Sequence, residues 1–143
     1  MKIKILFLFF MILISCGSSN QKNPSPLFRH VNLYTYGKFE LGEDLKKVDS
    51  LTEQINNRFF LKKKVFGGAE SIELIPDSKG RIYSIIFNYG NKTTLESEIK
   101  DYKKSLGISK LNNSIAIWND GNTSFELYQE NGNILSKMTD LKN

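Results

Sequence analysis

The chain has 143 residues, one cysteine, one histidine and a formal net charge of +5 from 20 basic and 15 acidic side chains. That length suits one domain with a hydrophobic core rather than two, and a lone cysteine excludes an intramolecular disulfide. The charge bias is mild and has no stacking or basic-helix motif beside it, so nucleic acid is not an expected partner. The first sixteen residues, MKIKILFLFFMILISC, read as an export signal: Lys2 and Lys4 precede an unbroken apolar run, Ile5 to Ile14, and Ser15 stands just before Cys16. As a helix that run would reach only about 15 Å across a hydrocarbon core of about 30 Å, too short to anchor the mature chain.

Leu13-Ile14-Ser15-Cys16 resembles the lipobox of bacterial lipoproteins, with an aliphatic residue three places before the cysteine and a small one next to it. The resemblance implies that the Cys16 thiol takes a diacylglyceryl group as a thioether, that residues 1–15 are cut away, and that the new amino group is acylated with a palmitate-type chain. Two or more chains, at about 0.8 kcal/mol per buried CH₂, hold a protein stably on a membrane. An ordinary secretory signal with an incidental cysteine is the alternative. Gly17 stands where some lipoproteins carry an inner-membrane-retaining aspartate, so the resemblance favours the outer membrane of the cell envelope, with the domain facing the periplasm. Without Lys2 and Lys4 the mature chain has a net charge of about +3.

Residues 16–26 then form the lipidated N-terminus and a tether. Gly17 to Pro26 contains no apolar residue and two prolines, the composition of a solvated linker that reaches at most about 35 Å. Residues 27–143 are expected to form a single α+β domain. Leu41, Leu45, Val48, Leu51 and Ile55 step at helical spacing, which predicts an amphipathic helix around Glu43 to Asn56. Three β-prone runs follow: Phe59 to Phe66, Ser71 to Ile75, and Arg81 to Tyr89. Arg81 to Tyr89 is apolar on both faces, the mark of a central strand or of a second contact surface.

Thr93 with Glu96 three residues later reads as a capping box for a second helix, carried by Leu95, Ile99, Tyr102 and Leu106 and stopped at Gly107. Runs at Ser114 to Trp118, Thr123 to Tyr128 and Ile134 to Met138 complete a second set of strands. A shift of 51 residues places Val48 on Ile99, Leu74 on Phe125 and Tyr83 on Ile134. The expected architecture is therefore two helix-β-β-β repeats forming an antiparallel sheet with the helices packed on one face.

Leu41-Gly42-Glu43-Asp44-Leu45-Lys46-Lys47-Val48 resembles the helix start of small envelope lipoproteins of the SmpA/BamE type, and the tandem plan is similar to the β-lactamase-inhibitor-protein fold. These resemblances imply a non-enzymatic module that binds another protein. Residue chemistry suggests no cofactor or catalytic centre. His30, beside Arg29, has no nearby cysteine or carboxylate, and Asn119-Asp120-Gly121-Asn122 lacks the spaced ligands of a calcium loop and reads as a hairpin turn. Glu96, Glu98 and Asp101 alternate with lysines as on a solvated helix face. Candidate partner contacts are Trp118, Tyr34 and Tyr36, together with Lys62, Lys63 and Lys64, a run that could meet an anionic partner but reads more readily as lysines guarding an edge strand. The expected function is a lipid-anchored envelope lipoprotein with a protein-binding or structural domain. The alternative is an inhibitor or immunity protein against a toxin or hydrolase in the same compartment.

Overall fold

The computed structural model describes Leu27 and residues 29–32, 37–62 and 68–142. Among these, β1 (His30–Asn32) and β2 (Lys38–Glu40) form a small hairpin. Eight further strands are β3 (Thr52–Ile55), β4 (Arg58–Leu61), β5 (Ser71–Pro76), β6 (Ile82–Asn88), β7 (Lys110–Asn112), β8 (Ile115–Asn119), β9 (Thr123–Glu130) and β10 (Asn133–Asp140). They build one antiparallel sheet in the order β3-β4-β5-β6-β10-β9-β8-β7. A 3-10 helix, Leu45–Leu51, leads into β3, and helix α1, Leu95–Leu106, lies between β6 and β7.

The expected pair of helix-β-β-β repeats is overturned: the described chain is mostly β, in one large antiparallel sheet, with a single α-helix. The first amphipathic stretch shows why. Asp44 caps the 3-10 turn by accepting from the Lys46 N–H, and Leu45 and Val48, three apart, go into the core. The residues that would extend a helix, Val48, Asp49, Ser50 and Thr52, are weak helix formers. At Asn56 and Asn57 the chain takes positive φ values of 49° and 62° and reverses. That two-residue turn pairs Thr52–Ile55 with Arg58–Leu61, so a ladder replaces the last helical turn. Each half is thus a helical segment, 3-10 in the first and α in the second, followed by a four-strand meander, and the halves meet through β6 and β10. Unequal loops prevent any constant shift from superposing them.

Helix α1 has the expected span, but its N-cap is Thr94, which accepts from the Ser97 N–H at 3.2 Å, and not Thr93. Gly107 closes it at φ 82°. The core lies on one sheet face. Phe59, Leu74, Ile85, Met138, Phe125 and Trp118 stand in one row across the strands, and Ile72, Phe87, Ser136, Leu127 and Ala116 in the next. Leu45, Val48 and Phe39 belong to the same buried cluster, with Leu95, Ile99, Tyr102 and Leu106 of α1 packed against it. The Tyr102 ring lies 4.8 Å from Phe125, and its hydroxyl meets that of Tyr89 at 2.9 Å, which in turn meets Ser136 Oγ at 3.2 Å. Burial, reinforced by Tyr89, pushes the Tyr102 phenol far above its ordinary range, so it remains protonated. Arg29 ties the first strand to the last by an ion pair with Asp140 at 2.9 Å and a hydrogen bond to Thr123 Oγ1 at 3.0 Å.

Candidate binding surface

The opposite face of the sheet carries the candidate site. Strand register sets one continuous row there across all eight strands: Glu53, Phe60, Glu73, Ile86, Lys137, Glu126, Ile117 and Lys110. On either side of it, Asn88 links Ser71 to Leu135 and Tyr128, while Ser84 links Ile75 to Thr139 and Ser124. A sheet with one face in the core ordinarily alternates apolar residues inward with polar residues outward. Here Phe60, Ile75, Ile86, Leu135, Ile117 and Tyr128 point away from the core and are half-buried. None of the six belongs to the core cluster.

Polar order is built among them. Glu73, buried on this face, accepts from Arg58 Nε at 2.6 Å and from Arg58 Nη2. That bidentate fork lays the guanidinium over the Phe60 ring, Cζ 5.2 Å from its centroid. The Glu73 hydrogen bond raises the Arg58 pKa further above its already high value, against the effect of burial. Beside the pair lies a depression of about 260 Å³, its walls including Phe60, Ile86, Asn88 and Leu135. A second hollow of about 470 Å³ opens next to Tyr128, between Leu95 and the turn at Asn113 and Ser114. Burial, then the carboxylates of Glu130, Glu126 and Glu73, push the Tyr128 phenol upward, so it stays a neutral hydroxyl able to donate or accept.

No family model, curated protein or solved structure matches the chain. The reading of this surface rests on its own geometry. The arrangement suits recognition: apolar area, a hollow beside the pair, and a fixed ion pair with its outer edge in water. Among the described residues no three His, Cys, Asp or Glu side chains gather as a metal ion would require, and no helix is long and apolar enough to cross a membrane.

The residues singled out in the sequence fall elsewhere. Trp118 is 4% exposed and faces the core, its Nε1 donating to the Gly107 carbonyl at 2.9 Å and its ring 5.7 Å from Phe125. Lys62 is exposed just past the end of β4, which is an interior strand, and its Nζ donates to the Ser50 carbonyl at 3.1 Å. Cys16, Tyr34, Tyr36, Lys63 and Lys64 lie outside the described residues, as do the signal and the tether. His30 is exposed on β1. Sequence reading missed Arg58, Phe60, Glu73 and Tyr128 as a group. The available signal was the two-sided apolar pattern of Arg81 to Tyr89, since β6 takes a central place in the sheet.

Proposed function

We propose that this protein is a lipid-anchored component of the cell envelope, held through Cys16, that uses the open face of its sheet to bind another protein. The observation that carries the binding reading is the row of half-buried apolar side chains outside the core, set around the Arg58–Glu73 pair. Leaving such area facing water gives up free energy on the order of 25 cal/mol per Å² that a partner would recover. Arg58, Lys137 and the glutamates set among these side chains supply the polar contacts on which register and partner choice depend.

A photo-crosslinking residue placed at Ile86 or Tyr128 in cells tests the reading, with the exposed Lys100 of α1 as the control position. One protein of the same compartment, captured from the sheet face and not from α1, is the expected result. If that protein is a toxin or a hydrolase, the domain is its inhibitor or immunity factor; if it is an assembly component, the domain is structural. Equal yields from both positions would sink the assignment of this face. Lipid on Cys16 is read independently, from the mass of the mature N-terminal peptide.

A further inference from the structure

The sheet has a step in it. Strands β9 and β10 pair along their whole length, from Thr123–Asp140 to Glu130–Asn133, whereas β8 parts from β9 after Ala116–Leu127. Strand β8 is short here because the chain enters it from a reversal at Asn113 and Ser114, which take φ values of 46° and 69°. Tyr128, Gln129 and Glu130 therefore run on with β10 on one side and no strand on the other. The two-residue turn at Asn131 and Gly132 closes on Glu130–Asn133, a pair that exchanges both main-chain bonds. By alternation Tyr128, Glu126 and Ser124 also face β10, while Gln129, Leu127, Phe125 and Thr123 turn their N–H and C=O toward β8. The Asp120 N–H donates to the Thr123 carbonyl at 3.3 Å, in keeping with that order. At Gln129 both groups point into the step, and Ser114, next in line along β8, bonds neither of them.

The hollow of about 470 Å³ beside Tyr128 occupies this step. Leu95 and Ile115 give it apolar walls, the turn at Asn113 and Ser114 bounds its outer side, and Tyr128, Gln129 and Glu130 bound its inner side. Its size lies within the range of about 300–1,000 Å³ typical of ligand pockets. No lysine or arginine lines it, and the exposed Glu130 makes no ion pair among the described residues. The Tyr128 hydroxyl, kept neutral, adds a donor or acceptor at the same place.

We infer that the step binds an extended peptide bearing a positive charge, which takes the strand position that β8 gives up and pairs with the free N–H and C=O of Gln129. A peptide unit carries a donor and an acceptor at the spacing a strand edge presents, which is how sheets recruit an added strand. Ile115 holds the next place along, so the segment reaches in from the end of the sheet, antiparallel to β9 as β8 is. Side chains of the added strand alternate between the two faces. The residue level with Gln129 lies on the core face, where Leu95 packs, and suits an apolar side chain; its neighbour, level with Glu130, lies on the open face and suits lysine or arginine. This site goes beyond the open face of the sheet, shares only Tyr128 with it, and needs no lipid anchor.

The test uses the protein as cells make it, purified in detergent, and the blocked peptide acetyl-Ala-Lys-Leu-amide carrying a fluorophore. Anisotropy titration should saturate. The same peptide with N-methyl-leucine, which lacks the N–H that the Gln129 carbonyl accepts, should bind about tenfold more weakly. Glutamate in place of the peptide lysine should weaken binding about fivefold, and Glu130→Lys should reverse that preference. Gln129→Pro removes an N–H that no described group uses, so it should abolish peptide binding; thermal melts verify its fold, and should it fail to fold, the N-methylated peptide on the unaltered protein carries the test. Absence of saturation, equal binding of the N-methylated peptide, or a lysine preference that survives Glu130→Lys overturns the inference. So does a sedimentation-equilibrium dimer that disappears in Gln129→Pro, which would make a second copy of this chain the occupant. Peptide binding without any partner captured from Ile86 would remove the open-face reading and leave this one standing; a partner captured from Ile86 without peptide binding would do the reverse.

Discussion

Replacing Arg58 by alanine asks whether the buried carboxylate of Glu73 depends on that single guanidinium. The Glu73 side chain is 9% exposed and the Arg58 side chain 60%. Breaking one side of a buried pair costs about 3–5 kcal/mol, whereas an exposed pair contributes about 0–1 kcal/mol. With one partner sheltered and the other in water, screening of the guanidinium brings the expected loss for Arg58→Ala down to about 1–2 kcal/mol. Glu73→Gln should cost less, about 0.5–1 kcal/mol, because its amide oxygen still accepts from Arg58. In the double variant no buried carboxylate is left alone, and the two losses should fall short of adding by about 1 kcal/mol. Urea unfolding of the four proteins measures this, with an unchanged m-value showing that only stability has moved. Additivity within about 0.3–0.5 kcal/mol would refute the coupling and with it the claim that this pair organises the open face.

Three other perturbations examine the frame around the site. Phe125→Ala removes a ring that is 1% exposed and touches both Tyr102 and Trp118, so it should cost about 3–5 kcal/mol and accelerate hydrogen exchange in α1, whose hold on the sheet runs through Tyr102. Burial alone would raise the Asp140 carboxyl, but the hydrogen bonds from Arg29 and from the Lys142 N–H hold it below the ordinary value of 3.8. A depressed carboxyl contributes stability above its unfolded pKa and loses it as pH falls through the lower folded value. Thermal melts should therefore show wild-type stability dropping below about pH 4, with a smaller drop in that window for Asp140→Asn. Asn57 sits at φ 62°, a conformation that glycine adopts without strain. Asn57→Gly should raise the urea midpoint or leave it unchanged, while Asn57→Val should destabilise by about 1–2 kcal/mol. A stable valine variant would rule out the two-residue turn between β3 and β4.

Much was legible in local patterns. Helix α1 followed from Leu95, Ile99, Tyr102 and Leu106 with Gly107 behind them, because a capped helix that buries one stripe is specified within a dozen neighbours. The strands β5, β6, β8, β9 and β10 followed from apolar runs between turn residues. What misled was the stretch from Leu45 to Ile55, whose spacing fits a helix as well as a 3-10 turn followed by a strand. Asn56-Asn57 and Asn113-Ser114 decide it: both pairs take positive φ, and each folds a short, weakly patterned segment, β3 or β7, against its successor.

From the sequence alone came the position of α1, which the structure bears out because it is written in contiguous residues; the export signal, the lipobox resemblance at Cys16 and the single domain are expectations of the sequence. The open face could not be read that way. Arg58 reaches Glu73 only because β4 and β5 pair in one register, and Ile86, Lys137 and Glu126 share a row only because β6 meets β10, more than forty residues away in the chain. Trp118 belongs to the core because the ladder from β8 to β9 turns it toward Phe125. Period-2 patterns give two faces to every strand, and only the register of the complete sheet decides which face is covered and which meets a partner.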